Sequence, residues 1–365
     1  METRRRNLIV LGSAALISLG LAAVALEQRA AEGEPHYTQA VFLPGFAAAV
    51  KNAELIQVTG HDGAFDVAYT ADKGWVLPQR GNYPADFDQV RHTLIGMATL
   101  ETIAPKTARA DWLHYLQLDA PPKGTGTQIT VKDKTGAVLG SVIAGNTEEL
   151  GDPNGTQGLF VRRPDSNQAY LARTAYAPHG DIGSWLFTKV LTLGNTRLQE
   201  MVVTPLKGPA FEVSRASPSV QIYTLANAPK KGSPNSQMIN SIPFSIANFS
   251  MSDAKPVVDS DFAKPAKVVA RTFDGLLISF DLSQQGSDVW TRFTASTAPG
   301  AKPEIVTEAG QINSRAAGFE FKMPAEKGNA LLVDMDKIMT PLPVQQQPSG
   351  IPQFNMDALR GGATP

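Results

Sequence analysis

The chain contains no cysteine. Structural disulfides, thiolate metal sites, a cysteine nucleophile and a lipid-bearing cysteine are therefore all excluded. Histidine is scarce. The five are His36, His61, His92, His114 and His179, and none pairs at metal-binding spacing or forms an H-E-x-x-H motif. There is no G-x-S-x-G elbow and no Walker A loop. The net charge of -1 comes without a basic stripe, so we expect no nucleic-acid partner. Beyond residue 27 no apolar run is long enough to cross a bilayer.

The N-terminus does carry such a run. Arg4, Arg5 and Arg6 precede an uncharged stretch from Leu8 to Leu26, which ends at Glu27. A membrane helix needs ~20 apolar residues, and the arginines place its leading end in the cytoplasm. The expectation is a single-pass protein of a bacterial inner membrane with its C-terminal body in the periplasm. A cleaved signal peptide is the alternative, because Ala23-Val24-Ala25 fits a small-residue cleavage site. A twin-arginine signal at Arg5-Arg6 is a third reading. A buried soluble helix fits poorly, since the run has no polar face.

At 365 residues with 42% hydrophobic content, the chain suits two domains with packed cores. The expected fold class is α+β, an N-terminal transmembrane helix followed by two tandem β-rich α+β repeats. The expected boundaries are 1–27 for the cytoplasmic stub and anchor, 28–39 for a linker, 40–197 and 198–340 for the repeats, and 341–365 for a disordered tail rich in Pro, Gln and Gly. In the first repeat, short strands around Leu55–Val58 and Phe65–Tyr69 are joined at His61-Asp62-Gly63, a hairpin signal. A helix follows Tyr83-Pro84-Ala85-Asp86 and runs to about Leu100, with Phe87, Val90, Leu94, Ile95 and Met97 toward the core. A short helix over Ala110–Leu116, strands near Gln128–Lys132, Val138–Ile143, Leu159–Arg162 and Ala169–Ala172, and a helix near Ile182–Leu193 complete the unit.

The second repeat matches the first at an offset near 140 residues. Met201–Val203 answers Ile56–Val58, Phe211–Val213 answers Phe65–Val67, and a helix near Gln237–Phe249 answers Phe87–Leu100. Val268–Arg271 corresponds to Thr130–Asp133, Val289–Arg292 to Leu159–Arg162, and Ala330–Val333 to Ala169–Ala172. An extra helix is inserted near Glu304–Ala316. A period this long points to a duplicated domain, since solenoid repeats run ~20–50 residues.

Candidate chemistry is thin. His61 and the segment His179-Gly180-Asp181 read as solvated turns, and His92 and His114 as surface or packing residues. Gly140-Ser141 lies in a strand, and Gly151–Gly155 reads as a hairpin turn that opens no helix. The acid pairs Asp259/Asp261 and Asp334/Asp336, the latter placed on one strand face, offer too few oxygens for calcium. Arg162 and Arg163, read as strand-edge residues, suit either anion binding or protection of the edge. Trp75, Trp112, Trp185 and Trp290 suit core or junction packing better than a carbohydrate groove. No residue is singled out as catalytic, cofactor-binding or metal-ligating, and no cofactor is expected.

Several motifs carry a resemblance. They are Phe42-Leu43-Pro44-Gly45-Phe46, the strands ending near Trp75, Tyr83-Pro84-Ala85-Asp86, Tyr115-Leu116-Gln117-Leu118-Asp119-Ala120-Pro121, Gly158-Leu159-Phe160-Val161-Arg162 and Ala169-Tyr170-Leu171. Together they resemble the bacterial domain-of-unknown-function family numbered 4340, over most of Phe42–Met335. Members commonly show Gly where Gln117 stands. The family offers no catalytic residues to carry over. Its members are typically anchored proteins encoded beside an ABC-type permease with its ATPase and a second membrane-anchored, Gld-like protein. The resemblance therefore implies a non-enzymatic accessory role in a gliding-motility-type transporter complex. Two other expectations are a periplasmic module binding an envelope glycan or small molecule in a groove between the repeats, and an envelope hydrolase using His61, His179 or Asp181.

Overall fold

The computed structural model describes residues 37–151, 157–174, 177–226, 228–229 and 233–339. The apolar run Leu8–Leu26, the Gln345–Pro348 tail and most of the Gly151–Gly155 loop lie outside these residues. Among the described residues no helix is long and apolar enough to cross a membrane. The chain divides into two units, at Phe187/Thr188. Each is β-rich α+β, built on one antiparallel sheet.

In the first unit the strands are β1 (Ala40–Val41), β2 (Leu55–Gly60), β3 (Gly63–Thr70), β4 (Gly74–Leu77), β5 (Tyr83–Pro84), β6 (Glu101–Pro105), β7 (Thr127–Lys132), β8 (Val138–Glu149), β9 (Gln157–Arg162) and β10 (Ala169–Thr174). They lie in the order β1-β6-β10-β9-β8-β7-β2-β3-β4-β5. Strand alternation puts Ile56, Val58, Val67, Ile129 and Val131 on one face, each fully buried. The β2–β3 hairpin turns at His61-Asp62, with Gly60 paired to Gly63 at φ 125. Helix α1 (Phe46–Ala49) seats Phe46 against Gly140 of β8, where a Cβ would meet the ring at 2.6 Å.

Helix α2 (Phe87–Ala98) opens at Asp86, whose carboxylate accepts from the Asp88 N–H at 2.9 Å and the Gln89 N–H at 3.5 Å. Such a cap contributes about 1 kcal/mol. Its buried face is Val90, Thr93, Gly96 and Met97. Phe87 and Ile95, expected in the core, are 63% and 51% exposed. The helix is rotated so that its small residues, Thr93 and Gly96, face Val142, Ala144 and Leu159 across a narrow apolar cavity. The helix expected over Ile182–Leu193 is only a 3-10 turn, Gly183–Trp185. Beyond it the chain is extended, because Leu186 bridges Ala85 and the Phe187 N–H donates to the Pro84 carbonyl. Thr188, Val190 and Thr192, β-branched residues, disfavour a helix there.

The second unit has β11 (Leu198–Thr204), β12 (Phe211–Ser214), β13 (Thr224–Ala226), α3 (Ser236–Ala247), β14 (Asp253–Pro256), β15 (Ala266–Thr272), β16 (Leu276–Gln285), β17 (Asp288–Thr297), α4 (Pro303–Ala316), β18 (Phe319–Met323), α5 (Ala325–Leu331) and α6 (Met335–Met339). Its sheet order, β14-β18-β17-β16-β15-β11-β12-β13, is that of β6-β10-β9-β8-β7-β2-β3-β4 strand for strand. The helices correspond too. Both α2 and α3 have twelve residues, and Asn235 caps α3 as Asp86 caps α2, accepting from the Gln237 and Met238 N–H groups at 3.0 and 3.2 Å. Phe249, Phe280, Phe293 and Phe321 centre this core, with ring centroids 5.3–6.3 Å apart.

One correspondence drawn from sequence fails. The partner of β10 is β18, whereas Ala330 and Leu331 end α5 and Leu332-Val333 follow it. A short apolar run reads the same in a strand and a buried helix, which is why periodicity misplaced it. Asp334 therefore lies at the start of α6, where its carboxylate accepts from the Lys337 N–H at 3.0 Å, rather than on a strand face with Asp336.

Gln117 ends the 3-10 segment Ala110–Leu116 in the left-handed region, at φ 53. That conformation favours glycine. The substitution Gln117→Gly should stabilise the first unit by about 1 kcal/mol. Urea unfolding of the variant beside the parent checks this, and equal or lower stability would count against the strain.

Candidate functional site

Among the described residues, three concavities are wider than the narrow cavity under α2. The first is an open trough of about 580 Å³ on the polar face of the first sheet. Alternation along β2, β7 and β8 brings Gln57, Gln128, Thr130, Lys132 and Ser141 to it, and Thr130 and Ser141 share a hydrogen bond of 2.7 Å. Arg163 closes one wall, donating to the Phe42 carbonyl at 2.9 Å with its guanidinium 5.6 Å from that ring. The second is a recess of about 710 Å³ beside Tyr69 and Trp75, whose rings meet edge to face at 5.7 Å. Lys51, Glu54, Asp133 and Lys134 ring it with both signs of charge. Asp133 is held below the usual carboxylate range, chiefly by the Thr135 hydroxyl and also by backbone N–H donors.

The third is a smaller cavity of about 190 Å³ in the second unit, lined by Asn195, Arg215, Gln221, Tyr223, Asn240 and Phe244 among others. Arg215 is 6% exposed. It donates to the carbonyls of Leu198 (2.8 Å), Val220 (2.9 Å) and Asn195, and its guanidinium lies 4.8 Å from the Tyr223 ring. The Tyr223 hydroxyl donates to the Leu198 carbonyl at 2.8 Å. Burial raises its pKa, outweighing the opposing effect of Arg215, so the phenol stays neutral.

The histidines do not build a catalytic centre. His61 is exposed in the β2–β3 turn, and His179 is exposed in its loop. Gly60 and Gly180 bring these two segments together, since a Cβ on Gly60 would lie 2.7 Å from the Gly180 carbonyl oxygen. Asp181 takes the Ser184 hydroxyl at 2.8 Å and the Ser184 N–H at 2.8 Å, which makes a turn rather than a base-activated nucleophile. His114 stacks on Tyr115, with centroids 3.8 Å apart. Among the described residues no group of three His or acidic residues is placed to hold a metal ion.

The acid pair Asp259/Asp261 has ordinary partners. Asp259 pairs with Arg292 at 2.9 Å, and Asp261 lies 3.6 Å from Lys255. Lys255 also meets the fully buried Glu320 at 2.7 Å and covers the Trp290 ring at 4.4 Å, a combination of distant residues that no sequence motif marks. The tryptophans are dispersed. Trp185 and Trp290 are buried and Trp75 is half-buried, but Trp112 is 49% exposed with the Arg109 guanidinium 4.7 Å from its ring, which corrects its reading as a packing residue.

Arg162 is a further correction. It is not on a strand edge, because β9 lies between β8 and β10, and its side chain is 4% exposed. Its Nε donates to the Leu118 carbonyl at 2.7 Å, and one terminal nitrogen reaches the carbonyls of Arg163, Pro164 and Ser166 at 3.1–3.3 Å. Burial lowers its pKa, against the opposing charge of Asp119. It closes the loop after β9 from inside and is not free to take an anion.

A family model matches residues 75–266, more than half of the 365-residue chain, from β4 to the start of β15. The chain belongs to the family described as domain of unknown function (DUF4340). The DUF4340 match takes in the Tyr69–Trp75 recess from its Trp75 side and the whole lining of the Arg215 cavity. No curated protein and no solved structure matches the chain.

Two outcomes follow. Arg162→Met strands buried carbonyls, each costing about 1–3 kcal/mol when unpaired, so a loss of at least about 3 kcal/mol is expected in chemical unfolding. A loss near zero would show that water replaces the guanidinium. The second concerns Arg197, which bridges Asp274 at 2.9 Å and Glu308 at 2.8 Å. Burial raises the Asp274 pKa, but the Thr272 hydroxyl and Arg197 together leave it lowered. Its contribution is therefore present above the unfolded carboxylate pKa of about 3.9 and is lost as pH falls through the lower folded value. Below pH 4, Asp274→Asn should lose less stability on acidification than the parent. Parallel acid profiles would contradict the assignment.

Proposed function

We propose that this DUF4340 protein is a non-enzymatic, membrane-anchored periplasmic subunit of an ABC-transporter-like complex of the gliding-motility type. The observation that carries the proposal is the pairing of a basic, apolar N-terminal sequence with a body offering broad open surfaces. Arg4–Arg6 and Leu8–Leu26 have the character of a cytoplasm-facing anchor. The trough at Gln57, Thr130 and Lys132 and the recess at Tyr69 and Trp75 are wide and mixed in polarity, as surfaces that meet macromolecules are. The two units of one strand order we read as a duplicated α+β domain. Tethering raises the concentration of such surfaces next to a membrane partner. The partners proposed are the permease with its ATPase and a second anchored, Gld-like protein.

A binding module for an envelope glycan is the second reading, and the Tyr69–Trp75 recess favours it. The exposed Tyr69 ring beside the half-buried Trp75, rimmed by charged and amide groups, suits a pyranose ring.

The deciding experiment is purification of the tagged full-length chain from membranes in mild detergent, with mass spectrometry of what accompanies it. Recovery of a permease, an ATPase and a second anchored protein is the expected result. Recovery of the chain alone, or of the chain in the soluble fraction, would overturn the proposal.

A further inference from the structure

The two units place a concavity at the same point of the fold, with different chemistry in each. In the register of β3 with β4, Tyr69 pairs with Trp75, and continuing the register of β12 with β13 by one step pairs Arg215 with Tyr223. The eighth residue of the helix lines both, Leu94 in α2 and Pro243 in α3. So does the segment before the first central strand, through Val50 in one and Asn195 in the other. In the first unit an aromatic pair fills this place. The fold therefore does not require a cation here.

In the second unit Arg215 is nonetheless buried, and its partners are carbonyls, rings and the Tyr223 hydroxyl. Among the described residues no carboxylate pairs with it. A buried charge without a counter-ion is costly, and apolar replacement of such groups is often neutral or stabilising. Three of the five guanidinium hydrogens serve the carbonyls and another the Tyr223 hydroxyl oxygen, which leaves one for a ligand. The other polar groups lining the cavity are the amides of Asn195, Gln221 and Asn240 and the neutral phenol of Tyr223. Pro243, Phe244 and Ala247 supply an apolar wall, with Phe244 55% exposed at its rim.

We propose that this cavity binds a small organic carboxylate, its anionic group paired with Arg215 and its short hydrocarbon portion against Phe244 and Pro243. Arginine is the side chain suited to a planar carboxylate. The volume of about 190 Å³ limits the occupant to a few carbon atoms beyond the carboxylate. This site is independent of the transporter proposal, and either can fail alone.

The test is calorimetric titration of the whole protein with butyrate, with butyramide and inorganic phosphate as controls. Saturable binding of butyrate but not butyramide is expected. Phe244→Glu places a carboxylate at the exposed rim, so it should weaken butyrate at least about tenfold, equivalent to 1.4 kcal/mol, without changing the melting temperature. Arg215→Lys keeps the charge but loses the planar fork and should weaken binding by a similar factor. If Arg215→Lys does not fold, the rim variant decides alone. Absence of saturable butyrate binding, equal binding of butyramide, binding of phosphate in place of butyrate, or butyrate binding indifferent to Phe244→Glu would each overturn the proposal.

Discussion

Along the central strand pairs, β2 with β7 and β11 with β15, each sheet buries one face, and this constraint organises both units. Ile56 and Val58 on β2, facing Val131 and Ile129 on β7, are fully buried, while the residues between them look outward. Met201 and Val203 on β11, opposite Ala270 and Val268 on β15, repeat the arrangement. A sheet buried on one side needs a cover, and one twelve-residue helix in each unit contributes to it. The uncovered face of the first sheet carries Gln57, Thr130 and Ser141, and so becomes the polar floor of its trough.

Buried arginine appears in both units, with different consequences. Arg162 gathers carbonyls of the loop after β9, where the chain must turn back into β10, and the guanidinium satisfies them. Arg215 gathers the carbonyls of Asn195, Leu198 and Val220, but does so beside a cavity. The same chemistry is thus closed off in one unit and left facing space in the other. The difference lies in what surrounds the guanidinium rather than in its own hydrogen bonds.

Much of the strand plan was legible because alternation and glycine turns are local signals. Asp62-Gly63 and Thr135-Gly136 mark hairpins that form, with Gly136 at φ 84. The start of α2 after Tyr83-Pro84-Ala85-Asp86 was legible too, although its Asp86 cap emerges only in the structure. What failed depended on distant contacts. The phase of α2, with Val90, Thr93, Gly96 and Met97 turned inward, is not announced by Phe87 and Ile95. The extended path after Trp185 follows from pairing with Ala85, and the helical state of Ala330-Leu331 from β18 having already taken the sheet position. The sites were less legible than the fold. Nothing in the sequence around Arg215 shows that the side chain is buried, and the comparison that singles it out, with Tyr69 in the other unit, becomes visible only through strand register.

The central claim, one strand order and register used twice, can be tested directly because the chain has no native cysteine. Gln57 pairs with Thr130 and Val202 with Val269, at matching places in the two sheets. Directly opposed residues in an antiparallel pair have Cα atoms ~4.5–5.5 Å apart, within disulfide range. Introduced in separate variants, the cysteine pairs 57/130 and 202/269 should each oxidise to a disulfide in the folded protein, while the offset pair 57/131, on opposite faces, should remain reduced. Closure of 57/130 with failure of 202/269, or closure of the offset pair, would contradict the shared register on which this account of the molecule rests.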